Sequence, residues 1–288
     1  MKKLYMTILI LITVACVILG IMIHGLAFLF NLGRIAGNNE ESTALGNISQ
    51  TVDATMITED YDVSEFTSMD LDFGRGNVTF TEGGSYSVSY TGIKEMAPTV
   101  KNEKDGKLTV KQSNKNWRSL IGSSDSLGRQ NSLTITVPKD TKLKKVKAEL
   151  GMGDFSISGL TADDADLDLD MGNLNMKDCV FANLDIDSDM GNVTIDGMTA
   201  SEIDLDADMG NIEASNVGSF KKLDMDADLG NIEVSLQQGL NDLALELSTD
   251  LGSITVNGDK MSSKVKTGSG SSRVRASANL GSIKITTE

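Results

Sequence analysis

The sequence predicts an all-β fold: a single-stranded β-solenoid of about 19-residue coils with a less regular β lead-in, preceded by one transmembrane α-helix. Three observations carry this. A Gly-centred tetrapeptide recurs at near-constant spacing between residues 151 and 282. On its N-terminal side apolar and acidic residues alternate with a period of two, the spacing of a strand with one dry and one wet face. An uncharged run behind two lysines opens the chain.

Residues 1–35 are the first element, a short cytoplasmic stub and signal anchor. Lys2 and Lys3 precede an apolar run from Leu4 to Gly33, interrupted by His24. As a helix this run is ~45 Å long, more than the ~30 Å hydrocarbon core, so a tilted spanning helix fits. A cleaved signal peptide has an apolar core of about 7–15 residues and a small-residue cleavage site. This run is longer, and Arg34-Ile35-Ala36 offers no such site. Thr13-Val14-Ala15-Cys16 is a poor lipoprotein box, because more apolar helix follows Cys16. Lys2 and Lys3 flank one side, and Arg34 followed by Glu40 and Glu41 flanks the other. The positive-inside rule then puts the N-terminus in the cytoplasm and the C-terminal domain outside, in a single-pass cell-membrane protein.

Residues 36–58 are rich in Gly, Asn, Ser and Thr and read as a flexible linker. Residues 59–150 read as a β-rich lead-in. Tyr86–Tyr90, Lys107–Val110 and Ser132–Val137 alternate cleanly, and Met69-Asp70-Leu71-Asp72-Phe73-Gly74 foreshadows the later corner. The polar stretch from Ser113 to Asn131 reads as a loop.

Residues 151–288 are the solenoid. The corner appears as Asp170-Met171-Gly172-Asn173, Asp189-Met190-Gly191-Asn192, Asp208-Met209-Gly210-Asn211, Asp228-Leu229-Gly230-Asn231 and Asp250-Leu251-Gly252-Ser253. Gly151-Met152-Gly153-Asp154 opens the series and Asn279-Leu280-Gly281-Ser282 closes it. The turn glycines Gly153, Gly172, Gly191, Gly210, Gly230, Gly252 and Gly281 lie 19, 19, 19, 20, 22 and 29 residues apart. Before each corner the apolar set, such as Leu167, Leu169 and Met171, alternates with Asp; after it the parity switches. An antiparallel meander also fits. It avoids stacking Asp168, Asp187, Asp206 and Asp226 in a like-charge ladder, which costs energy. The constant period and residue-by-residue identity favour stacked coils. Seven corners imply about six coils. The methionines Met171, Met190 and Met209 are expected in the core. Cys179 falls in register with Met198 and Val217, an apolar column.

Composition limits the chemistry. The net charge is −15, and it is uneven: +8 over 94–147, −20 over 151–250 and +4 over 251–288. An acidic body disfavours nucleic acid and attracts cationic peptides or divalent ions. His24 is the only histidine, and the two cysteines lie too far apart in kind to form a scaffold disulfide. Catalytic residues, metal ligands and cofactors are therefore expected to be none. The acidic column Asp170, Asp189, Asp208, Asp228 and Asp250 offers carboxylates to calcium, but the Gly-Gly-x-Gly-x-Asp pattern of calcium β-rolls is absent. The simpler reading is a solvated face that resists edge aggregation. Every acid sits on a repeat register, with no Lys, Arg, Tyr or His singled out beside it to set up glycosidase chemistry.

Three features resemble a known family. They are the strand Ile135-Thr136-Val137-Pro138-Lys139-Asp140-Thr141-Lys142-Leu143, the run of Gly corners, and the closing Gly281-Ser282-Ile283-Lys284-Ile285. Together they resemble the bacterial "putative adhesin" family, a β-strand-repeat domain of unknown function that includes LiaG-like proteins, over about four-fifths of the chain. The resemblance implies a β-solenoid at the cell envelope, some members accompanying envelope-stress systems, and no catalytic residues. The expected function is a non-enzymatic surface adhesin or scaffold. The alternative is a stress sensor that binds cationic peptides through its acidic face and signals to a membrane partner. An envelope polymer, a cationic peptide and a membrane protein are the candidate partners.

Overall fold

A computed structural model describes residues 55–112 and 131–288. The anchor read over 4–33, with Cys16 and His24, and the loop over 113–130 lie outside the described residues. Among the described residues no helix is long and apolar enough to cross a membrane.

The lead-in holds β1 (Met56–Tyr61), β2 (Ser68–Arg75), β3 (Asn77–Gly83), β4 (Ser87–Ile93), β5 (Pro98–Asn102), β6 (Lys107–Gln112), β7 (Ser132–Pro138), β8 (Lys142–Met152) and β9 (Phe155–Ser158). The repeats follow as β10 (Thr161–Met171), β11 (Leu174–Met190), β12 (Val193–Met209), β13 (Ile212–Val217), β14 (Lys222–Leu229) and β15 (Ile232–Leu236). The C-terminal part adds β16 (Leu243–Leu251), β17 (Ile254–Val256), β18 (Asp259–Met261), β19 (Lys264–Thr267), β20 (Ser272–Leu280) and β21 (Ile283–Thr287). Strand β1 begins inside the stretch whose composition reads as linker.

The central strands stack in parallel, residue on equivalent residue. Leu167 pairs with Ile186, Ile186 with Leu205, and Leu205 with Met225. This is the solenoid, and it excludes the meander. Asp168, Asp187, Asp206 and Asp226 do stack directly. The like-charge cost is tolerated because these carboxylates face water, where unit charges a few ångströms apart interact by only about 1 kcal/mol. Each rung buries several aliphatic side chains in exchange, each contributing roughly 1.5–3 kcal/mol.

Within one coil the inward positions come in three runs. In β11 these are Leu174 and Met176, then Cys179 and Phe181, then Leu184, Ile186 and Ser188. Between the first two runs the chain turns through a left-handed residue, Asp178 at φ 51°. Gly159, Gly197 and Asn216 hold the same place in neighbouring coils, at φ 72°, 76° and 54°. Gly and Asn take this conformation most readily. Cys179, Met198 and Val217 form the expected buried column.

Chain order and stacking order part company at both ends. The β2–β3 coil sits between β6–β7 on one side and β8–β9 on the other. At the far end the β20–β21 coil sits between β14–β15 and β16–β17. Sequential coils, expected from the repeat, therefore hold only in the middle. Counted at the corner, the rungs run Asn131, Gly76, Gly153, Gly172, Gly191, Gly210, Gly230, Gly281, Gly252. That exceeds the six coils expected from seven sequence motifs. Each end is closed by antiparallel strands: β4 on β7 and β5 on β6 at one, β19 on β16 and β18 on β17 at the other. Covering the terminal strands keeps the rod from pairing onward.

Candidate functional site

The repeat corner is built from two ladders. The glycines form an unbroken column, and a methyl carbon on Gly172 would run into the carbonyl oxygen of Gly153. Gly172 also holds φ at 147°, a backbone that side chains avoid. Beside it runs a ladder of side-chain amides. The Asn173 Oδ1 accepts from the Asn192 backbone N–H at 3.1 Å, the Asn192 Oδ1 from that of Asn211 at 3.0 Å, and the Asn211 Oδ1 from that of Asn231 at 2.9 Å. Asn77 begins this run by accepting from the Asp154 backbone N–H, Asp154 accepts from the backbone and side-chain N–H groups of Asn173, and Ser282 and Ser253 finish it. The N-terminal end of the glycine column meets Asn131. It is fully buried, with its Oδ1 accepting from the Tyr90 hydroxyl at 3.0 Å and the Ile93 backbone N–H at 2.9 Å. The polar sequence around Asn131 reads as loop; the residue is instead a satisfied core plug.

The strands that enter this corner present the acidic face. Between the inward residues lie three Asp columns over four rungs: Asp166, Asp185, Asp204 and Asp224; Asp168, Asp187, Asp206 and Asp226; Asp170, Asp189, Asp208 and Asp228; of these Asp224 alone is buried. Lys222 reaches into the first column, 3.5 Å from Asp204 and 3.1 Å from Asp224. Partial burial, and then the neighbouring carboxylates, hold Asp168, Asp185, Asp206 and Asp226 above their ordinary value. The charge reverses along the rod. Lys145 and Lys147 precede Asp164 and Asp166 in register, and Arg273 and Arg275 follow Lys222 and Asp224.

Of the five acidic residues expected to form one column, four do. Asp250 is separated from Asp228 by Asn279, whose side-chain amide donates to the Asp228 carboxylate. Among the described residues no group of three His, Cys, Asp or Glu side chains is placed to hold a metal ion. Cys179 is buried, and burial pushes its thiol up to about 11, so it is not a poised nucleophile.

One feature overturns the sequence reading. Met171, Met190 and Met209 are 39%, 41% and 46% exposed, not packed. Alternation carried them inward by one residue too many, because the chain begins to turn before the glycine. The signal was in the motif itself: an apolar residue kept directly beside the corner in every repeat.

The chain matches the Toastrack DUF4097 family over residues 66–282. Three solved structures are similar to it. A "putative cell adhesion protein" from Clostridium sporogenes is 17% identical, with 81% of this chain and 100% of that chain covered and a TM-score of 0.41. A "putative adhesin" from Bacteroides fragilis is 18% identical, with 80% and 97% covered and a TM-score of 0.44. Another from Parabacteroides distasonis is 15% identical, with 81% and 98% covered and a TM-score of 0.43. No curated protein matches the chain.

Proposed function

The chain belongs to the Toastrack DUF4097 family, and from that premise we propose a non-enzymatic surface protein of the adhesin type, anchored in the membrane by its N-terminal run. The observation that carries this is the rod itself. Its outer faces are columns of one residue type repeated on successive rungs, a surface made for extended contact. Such repetition suits a repeating partner, and a reacting centre needs the opposite, unlike groups converging on one point. The Lys2–Lys3 flank and the apolar run to Gly33 support the cytoplasmic N-terminus and external rod. The test is protease treatment of intact and lysed cells. Digestion of the rod in intact cells is expected. Protection there, with digestion in lysates, overturns the surface assignment.

A second reading is favoured by the crowded carboxylates. Asp168, Asp185, Asp206 and Asp226 hold protons more tightly than usual, first because they are partly buried and then because other carboxylates lie beside them, so an arriving cation relieves that crowding. In this reading the acidic face binds cationic peptides and the anchor passes the signal to a membrane partner. It predicts salt-sensitive peptide binding that disappears when the three Asp columns are changed to Asn. Undiminished binding by the neutralised rod rules it out.

A further inference from the structure

Nine large apolar side chains are exposed among the described residues, and six of them share one column. Met171, Met190, Met209, Leu229, Leu280 and Leu251 follow one another along the rod, each paired in register with the next. They are 39–70% exposed. The corner does not require them, since the glycine column and the amide ladder make the turn. A strand position facing water ordinarily carries a polar residue, so a contiguous apolar stripe marks an interaction surface. Five rung steps of ~4.8 Å make this ridge ~24 Å long. Asp170, Asp189, Asp208, Asp228 and Asp250, each one residue away, line its flank.

We propose that this ridge docks a cationic amphipathic α-helix lying along the rod axis, with its apolar stripe on the Met and Leu side chains and its Lys and Arg over the Asp column. The inference rests on the cationic-partner reading and adds the place and the shape of the partner. Charge selects among occupants. Anionic headgroups are repelled by the acidic flank, and a second copy laid ridge to ridge brings two Asp columns together. A cationic partner is attracted by the same flank. Shape selects the helix. One helical turn rises ~5.4 Å, close to the ~4.8 Å rung step, so one apolar residue per turn meets one rung. The mismatch adds up to about 3 Å over the ridge, which flexible methionine side chains absorb. A strand laid the same way repeats its apolar residues every ~6.8 Å and falls out of step.

The methionines supply their own reporter. The full-length protein, in discs of zwitterionic lipid, is treated with dilute hydrogen peroxide, and oxidation of each methionine is followed by mass spectrometry. The probe is a synthetic Leu/Lys amphipathic helix of about 18 residues, long enough to span the ridge. A scrambled peptide of the same composition is the control, and empty discs correct the free peptide concentration. Met56, 44% exposed and outside the ridge, is the internal reference. The amphipathic peptide should slow oxidation of Met171, Met190 and Met209 by about fivefold or more, leaving Met56 unchanged, and the scrambled peptide should not. Equal protection by both peptides overturns the helical geometry. Salt-sensitive binding without protection overturns the ridge while the cationic-partner reading survives. No binding at low salt overturns both.

Discussion

The middle of the rod and its two ends solve the same stacking problem differently. Between β8 and β14 each coil lies on the one before it in sequence, and the register repeats without interruption. At the C-terminal end the chain places β16–β17 and then slips β20–β21 between it and β14–β15, and at the N-terminal end it lays β2–β3 first and covers it with β6–β7 on one side and β8–β9 on the other. The difference follows from what each part must do. A middle coil is buried above and below, so short-range repetition is enough to hold it. A terminal coil has one bare side and would fray. Threading a chain-distant coil under it means that it cannot peel off without breaking pairs on both sides.

Substitutions in the middle and at the ends should separate the two arrangements. The largest effect is expected in the middle. Gly172→Ala forces a carbon into the Gly153 carbonyl, and two packed rungs must separate. Loss of about 4 kcal/mol or more is expected in denaturant melts. Gly84→Ala, which meets nothing within 4 Å, should stay within about 0.5 kcal/mol of the parent.

Next come paired core truncations. Ile186→Ala in the middle and Ile285→Ala in the threaded coil remove side chains that are both 0% exposed. Each should cost about 3 kcal/mol. Threading predicts that both lower one shared transition. A separate early transition for Ile285→Ala would show that the C-terminal coils melt alone.

The amide ladder is worth less. Asn192→Ala removes the acceptor for the Asn211 N–H, at a cost of about 1 kcal/mol. Asn192→Ser, the residue type the C-terminal rungs use at Ser253 and Ser282, should recover part of it. Equal losses for both variants would mean that the ladder contributes little in the middle.

The smallest effect concerns pH. Asp168, Asp185, Asp206 and Asp226 titrate above 3.8 in the folded chain, so the folded state holds more protons than the unfolded state in that window. Stability from these groups is present below 3.8 and is lost as pH rises through their raised values. Acidifying from neutral toward that window should therefore raise the melting temperature slightly. The Asp-to-Asn variants should flatten that slope, and an unchanged slope would show that neither the partial burial of these groups nor their crowding carries energetic weight.

Much of this was legible in the sequence. The Gly-Asn corner, the 19-residue period and the inward columns led by Leu167 and Cys179 are all visible as repetition, because identical environments demand identical residues. The threaded ends were not. Spacings of 22 and 29 residues show that the rhythm changes before Gly252 and Gly281, but which strand pairs with which is decided by tertiary fit. The exposed ridge was hidden for a local reason. Period-two alternation holds only while the backbone is straight, and Met190 sits where it begins to turn. Asn131 was hidden because a single polar residue in a polar stretch gives no sign that its amide is fully satisfied in the core.

The threaded C-terminal end, and with it the order of Leu280 and Leu251 in the ridge, depends on one claim, that β20 lies between β14 and β16. In a Cys16→Ser background, with Cys179 buried, cysteine pairs at surface positions test it directly. Asp226→Cys with Ser277→Cys, and Ser277→Cys with Ser248→Cys, join residues that are neighbours in register. Neighbouring strands bring Cα atoms to ~4.8 Å, within disulfide reach. Mild oxidation should cross-link both pairs, and Asp226→Cys with Ser248→Cys should stay reduced. A cross-link between 226 and 248, with none to 277, would mean that the coils stack in chain order, with Leu251 and not Leu280 beside Leu229.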